Sequence, residues 1–196
     1  MNENYPQPAM PVDVRDGIIK GMYRVKRSTE ADLKVQLMGS GTILNEVLDA
    51  QKILSQNYNV NSDIWSLTSI NQLVREGQSV RRWNLLHPTS EPKVSFVEQA
   101  LHDSNGPVVI ATDYMKNYGE QLRAFIHSPL YVLGTDGFGR SDSRESLRYF
   151  FEVDRNFIVV TALKALSDQG KLDADVVLEA ITSLGIDPEK CNPLAI

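Results

Sequence analysis

Val35-Gln36-Leu37-Met38-Gly39-Ser40-Gly41 is the stretch on which the fold turns. Residues 35–38 form a short, largely apolar run of strand character, and Gly39-Ser40-Gly41 reads as the turn that ends it. Apolar side chains then recur at Ile43, Leu44, Val47, Leu48 and Leu54, a spacing that gives a helix one buried face. The same alternation runs on downstream. Residues 63–67 predict a second strand, and a helical stretch follows from Ile70 to about Trp83. Ser95 and Glu98 make a capping-box pair that opens another helix. Val108-Val109-Ile110-Ala111 is a continuous apolar run of the kind found in strands covered on both faces. A helix over 118–125 and a fourth strand over 131–133 come next, then a loop over 134–141. Asp142 and Glu145 predict a second capping box for a helix over 143–150. Val159, Ala162, Leu163 and Leu166 share one helical face, and Val176, Val177, Ala180, Ile181 and Leu184 share another. Asp187-Pro188 has the cap-then-proline form that starts a last helix.

Strands separated by helices require right-handed crossovers, which predicts a three-layer αβα architecture around a mainly parallel sheet. Upstream, a short helix fits residues 13–20. The alternating Met22-Tyr23-Arg24-Val25-Lys26 fits an edge strand with its polar side in water, and 28–33 a surface loop. Pro6, Pro8 and Pro11 exclude a helix from residues 1–12, which are expected to form an extended arm. Residues 13–196 are then expected to be a single α/β domain. An arm so marked by proline also suggests a connector to something preceding it.

The 196 residues are 42% hydrophobic and carry 20 Lys and Arg against 25 Asp and Glu, a formal charge of −5. A nucleic-acid binder needs a basic excess to neutralise phosphates, so none is expected as a partner. The clusters over 20–27 and 75–82 read as solvated faces or salt-bridge partners. No apolar run approaches the roughly 18 residues that span a bilayer, so no membrane partner is expected either. The single cysteine, Cys191, excludes a disulfide framework within the chain and fits a reducing cytoplasm.

In parallel sheets, ligands and interfaces gather at the carboxyl ends of the strands. Here those ends are 39–41, Thr68-Ser69, Asp113-Tyr114 and 134–140. Gly39-Ser40-Gly41 could open a dinucleotide-binding turn, but Leu44 stands where the third glycine belongs, and Thr68-Ser69 replace the acidic residue that would hold a ribose. A tight turn needing small residues is the simpler reading. The loop Gly134-Thr135-Asp136-Gly137-Phe138-Gly139-Arg140-Ser141-Asp142-Ser143-Arg144 is the densest in unusual residues. Gly134, Asp136, Gly137, Gly139, Arg140, Asp142 and Arg144 are its candidate functional residues, as an interface loop or as an anion site at a helix start. His87, His102 and His127 share no metal-ligand spacing. No G-x-S-x-G elbow surrounds a serine, and no catalytic, cofactor-binding or metal-ligating residue is assigned.

Three stretches carry a family resemblance: Asn2-Glu3-Asn4-Tyr5 with Pro8-Ala9-Met10-Pro11, Leu37-Met38-Gly39-Ser40-Gly41, and Leu133 through the loop to Arg144. Arg82-Trp83-Asn84-Leu85-Leu86-His87-Pro88 and Ala111-Thr112-Asp113-Tyr114-Met115-Lys116 support it. On these residues, from Asn2 to the end, the chain resembles the C-terminal domain of the homodimeric bacterial pyruvate dehydrogenases, transketolase-related thiamine-diphosphate enzymes. The resemblance implies a five-stranded sheet with four parallel strands and one antiparallel, the latter at 22–26. It implies that thiamine diphosphate and magnesium belong to upstream domains of the same enzyme and that the domain packs into a homodimer. It implies too that the whole enzyme decarboxylates pyruvate and acetylates the lipoyl arm of the dihydrolipoyl acetyltransferase component. The Gly-Asp-Gly cofactor motif with its Asn ligands does not occur here, so the chain alone is expected to hold no cofactor and to be inactive. The alternatives are a stand-alone module binding an anion or a partner through the strand-end loops, and a nucleotide enzyme using Gly39 to Gly41.

Overall fold

A computed structural model describes residues 8–195. Five strands form one sheet in the order β1-β3-β2-β4-β5. They are β1 (Met22–Lys26), β2 (Lys34–Ser40), β3 (Asn61–Leu67), β4 (Val108–Ala111) and β5 (Leu130–Leu133). The strands β3, β2, β4 and β5 run parallel, and β1 closes one edge antiparallel to β3, with Met22 opposite Leu67. The α/β class, the three layers and the antiparallel edge are therefore as the sequence and the resemblance imply.

Among the described residues eight α-helices flank the sheet: α1 (Arg15–Lys20), α2 (Leu44–Tyr58), α3 (Ile70–Leu86), α4 (Phe96–Leu101), α5 (Lys116–Glu120), α6 (Arg144–Phe150), α7 (Arg155–Asp168) and α8 (Ala174–Ser183). Because side chains alternate across a strand, each inner strand feeds two cores. On one face Val35, Leu37, Ile64 and Val109 meet Val47 and Leu54 of α2 and Ile158 and Leu163 of α7. On the other, Met38, Trp65 and Ile110 meet Ile70 and Leu73 of α3, Val97 of α4 and Phe125.

Several local boundaries depart from the sequence reading, each for a physical reason. The first helix starts at Arg15 rather than Asp13, because Asp13 sits at φ 59°, left-handed backbone no helix can use. Gly39 and Ser40 extend β2 instead of turning. A Cβ on Gly39 would stand 2.8 Å from the Leu44 Cα, so the glycine lets α2 lie against the strand, and the turn begins only at Gly41. The helix over 118–125 is split: α5 starts earlier, at Lys116, and residues Gln121–Phe125 tighten to a 3₁₀ helix. Ser95 and Glu98 do form a reciprocal capping box. Asp142 and Glu145 do not. Ser143 caps α6 instead, its hydroxyl accepting from the Ser146 N–H at 3.2 Å, while Asp142 accepts from the Ser143 N–H. Asp187-Pro188 opens a hydrogen-bonded turn, not a helix. Pro193 lies too close downstream for an α-helix to develop, and only a 3₁₀ turn, Pro193–Ala195, follows. Residues 8–11 of the arm carry no helix or strand, and residues 1–7 with Pro6 lie outside the described residues.

Asp63, within β3, is buried and accepts from the N–H and the hydroxyl of Ser28 at 2.7 and 2.8 Å, with the buried Lys34 amine at 3.5 Å. Burial alone would raise its carboxyl, but the two Ser28 bonds, Lys34 and Arg24 outweigh it and hold the group below its ordinary value. A depressed carboxylate stabilises the fold above its unfolded pKa, and that contribution is lost as pH falls through the folded one. Asp63→Asn leaves Lys34 without its buried counter-charge and should destabilise the chain by about 3 kcal/mol at neutral pH. Chemical denaturation should show the gap narrowing as pH falls below the ordinary carboxylate range and the parent carboxyl also takes up its proton.

Candidate functional site

The carboxyl ends of β2, β4 and β5 open together on one side of the sheet. Ser40 Oγ, ending β2, and Thr112 Oγ1, just past β4, share a buried hydrogen bond of 2.7 Å. Beyond them a pocket of about 300 Å³ is lined by Thr42, Asp113, Thr135, Asp142, Arg144 and Arg148, with Leu147 and Phe151 among its apolar walls. Thr68 and Ser69 do not join this site. Their N–H groups donate to the Gly21 carbonyl, and Thr68 Oγ1 donates to Ile18, which ties the end of β3 to α1 and β1.

Helix α6 is held over the pocket by one acid. Glu46 of α2 is 4% exposed, and its carboxylate receives Arg148 at 2.7 Å, the Arg155 side chain at 2.9 Å and the Arg155 N–H at 3.1 Å. The bond from Glu46 outweighs partial burial and raises the Arg155 guanidinium. Beside it, burial and the negative Glu46 push the Asp154 carboxyl up, against the N–H bonds of Phe157 and Asn156. With Asp49 of α2 also 2.6 Å from Arg155, two guanidinium groups and two carboxylates fix where α6 and α7 meet α2.

The seven loop residues singled out in the sequence take four different roles. Gly134 is buried where a Cβ would fall 2.6 Å from the Tyr114 carbonyl oxygen, and Asp136 accepts from the Lys116 N–H at 2.9 Å to start α5. Gly137 has φ 94°, and a Cβ there would sit 2.5 Å from the Pro193 carbonyl oxygen, so it lets the chain end pack on the loop. Gly139, Arg140 and Asp142 are exposed, Arg140 laying its guanidinium 4.3 Å from the Phe150 ring centre. Arg144 is half-buried in the pocket wall. The acids Asp113 and Asp142 stand in the same pocket as the arginines, so its charge is mixed and does not single out an anion.

Sequence reasoning missed the apolar residues around this loop. Phe138 is 83% exposed, and Tyr114, Met115 and Leu194 are each more than half exposed. Thr135 N–H donates to the Tyr114 carbonyl and Gly137 abuts Pro193, so these side chains border one loop. A phenylalanine between two glycines was the available signal. The basic clusters also differ from expectation: Arg24 stacks 4.5 Å from the Trp65 ring centre and Arg81 4.6 Å from that of Phe125, packing rather than merely facing water. The histidines stay apart from this pocket; His87 stacks on Trp83, and His102 and His127 lie at the other end of the sheet.

A family model for the transketolase-like TK C-terminal domain matches residues 21–154, and the chain belongs to that family. Solved transketolases share the fold: that of Campylobacter jejuni superposes with a TM-score of 0.54 at 18% identity, covering 80% of this chain and 20% of that one. The Leishmania mexicana transketolase gives 0.51 at 19% identity, covering 78% and 19%. More specifically, the chain is 56% identical over 196 residues to the pyruvate dehydrogenase E1 component of Pseudomonas aeruginosa, and 48% identical over 194 residues to that of Escherichia coli K12. It corresponds to the C-terminal domain of such E1 components, spanning 99% and 98% of its own length but only 22% of theirs. Thiamine diphosphate needs a divalent cation held by several oxygen ligands. Among the described residues no three His, Cys, Asp or Glu side chains gather as a metal site. Among the described residues no helix is long and apolar enough to cross a membrane.

The two exposed glycines of the loop give a clean contrast. Gly137→Ala should destabilise the chain by about 1–3 kcal/mol and expose its end to carboxypeptidase. Gly139→Ala, which meets nothing within 4 Å, should leave both stability and digestion unchanged.

Proposed function

We propose that this chain acts as the non-catalytic C-terminal domain of a pyruvate dehydrogenase decarboxylating component, supporting its dimerisation and its active-site domains. Identity of 56% to an E1 component over 99% of this chain carries the reading. In the same proposal, the parent enzyme is the thiamine-diphosphate and magnesium-dependent one that decarboxylates pyruvate and passes the acetyl group to the lipoyl arm of the dihydrolipoyl acetyltransferase component. Its upstream domains hold that cofactor in the cytoplasm. This domain supplies a shaped surface at its strand ends, where Phe138, Tyr114, Met115 and Leu194 present apolar area and Arg140 and Asp142 frame it with charge. Exposed apolar clusters bordered by polar residues are what packing faces of larger assemblies look like. Glu46, through Arg148 and Arg155, fixes the helix behind that face, so that it is presented as a rigid unit. The arm over residues 1–12 is proposed to join residues 13–196 to the upstream domains.

An anion- or partner-binding module is the second reading. The mixed charges of the strand-end pocket give its anion form no support, while its partner form merges with the packing role.

Purified alone and supplied with pyruvate, thiamine diphosphate and magnesium, the chain should release no carbon dioxide; steady turnover would sink the proposal. Light scattering over a concentration series should show a reversible dimer through the uncovered apolar face. Phe138→Asp should weaken that association by about tenfold, and a strict monomer at high concentration would count against the face.

A further inference from the structure

At the opposite end of the sheet, where β4 and β5 begin, lies a cleft of about 390 Å³ that the packing role does not use. That volume falls within the roughly 300–1,000 Å³ usual for small-molecule sites. Val94, Leu101, Val108, Phe125 and Ile126 give it an apolar lining bordered by His102 and His127, and among the described residues no Lys or Arg belongs to it. Among the described residues, Glu98 of α4 is the carboxylate in its lining. The Ser95 N–H donates to Glu98 Oε2 at 2.9 Å, and His127 Nε2 lies 3.1 Å from Oε1. A carboxylate accepts about four hydrogen bonds, which leaves room for a ligand's donors. Burial would raise this carboxyl, but the Ser95 and His127 contacts overcome it and keep the group below its ordinary value, hence ionised near neutrality. Ser104, also in the lining, holds a buried Oγ with no hydrogen-bond partner among the described residues, a state that is costly unless something supplies one.

Negative charge at the side, apolar walls and an unsatisfied hydroxyl together describe the complement of an amphipathic cation. We propose that this cleft binds a small molecule carrying a protonated primary amine on an apolar body, the ammonium on Glu98 and the body against Val108 and Phe125. The ammonium's three donors can serve both free lone pairs of Glu98 and a group near Ser104. A carboxylate in a partly desolvated wall attracts such a cation more strongly than one in open water. Amine binding in this cleft does not depend on the packing role, and the two can fail separately.

The test is a titration of the chain with phenethylamine followed by amide chemical shifts, with 3-phenylpropionate, the same ring carrying a carboxylate, as its opposite in charge. Saturable shifts are expected at Glu98, Ser104, Val108 and Phe125 with the amine and none there with the acid. Glu98→Gln keeps an acceptor for the Ser95 N–H, since glutamine also serves in a capping box, so α4 stays formed. In that variant amine binding should weaken about tenfold. No saturable shift with the amine, equal binding of the acid, or unchanged binding in Glu98→Gln would each overturn the proposal.

Discussion

Strand β2 is the constraint on which the rest of the structure hangs. All seven of its residues are buried, between β3 on one side and β4 on the other, with a core on each face. A strand in that position cannot leave a polar group to water, so each polar side chain it carries has to recruit a partner from elsewhere. Gln36 accepts from the Trp65 indole and donates to the Asn105 carbonyl, both at 2.9 Å. Lys34 pairs with Asp63, and Ser40 with Thr112. These pairings tie the two neighbouring strands and the loop before β4 to the centre. They make the middle of the sheet a specific arrangement rather than a merely apolar one.

Outward from that centre, the two ends of the sheet are built differently. At the carboxyl end, a buried acid, Glu46, collects two arginines from residues far along the chain and sets α6 and α7 across the strand ends. The glycine-rich loop can then fold back on Tyr114 and receive the chain end at Gly137. What reaches the surface is apolar side chains framed by charge, a face suited to lying against other protein. At the amino end, short α4 and the segment before β5 leave an acid-sided cleft instead. One small domain thus carries an exposed apolar surface at one end of its sheet and a concave cleft at the other.

Much of this was legible in the residues. The order of strands and helices, the edge strand at Met22, the Ser95 and Glu98 capping box and the family resemblance all rest on patterns a few residues long. Periodicity reports burial directly, because a side chain's face follows from its position on a helix or strand. The errors fall where two local signals compete. Asp142 and Ser143 are both good caps, and the choice of Ser143 goes with α6 bringing Arg148 to Glu46. Asp187-Pro188 carries a sound helix-start signal that Pro193 overrides downstream.

The sequence by itself determined the class of fold, the succession of elements and the family, since each depends on local spacing and on motifs written contiguously. Only the tertiary structure decided which residues matter at the surface. Glu46 and Arg148 are 102 positions apart, and nothing near either predicts their meeting. Phe138 is apolar in composition yet 83% exposed, because the loop is turned outward by its contacts with Tyr114 and Pro193. Contacts between distant segments are set by how whole elements pack, and no window of sequence contains that information.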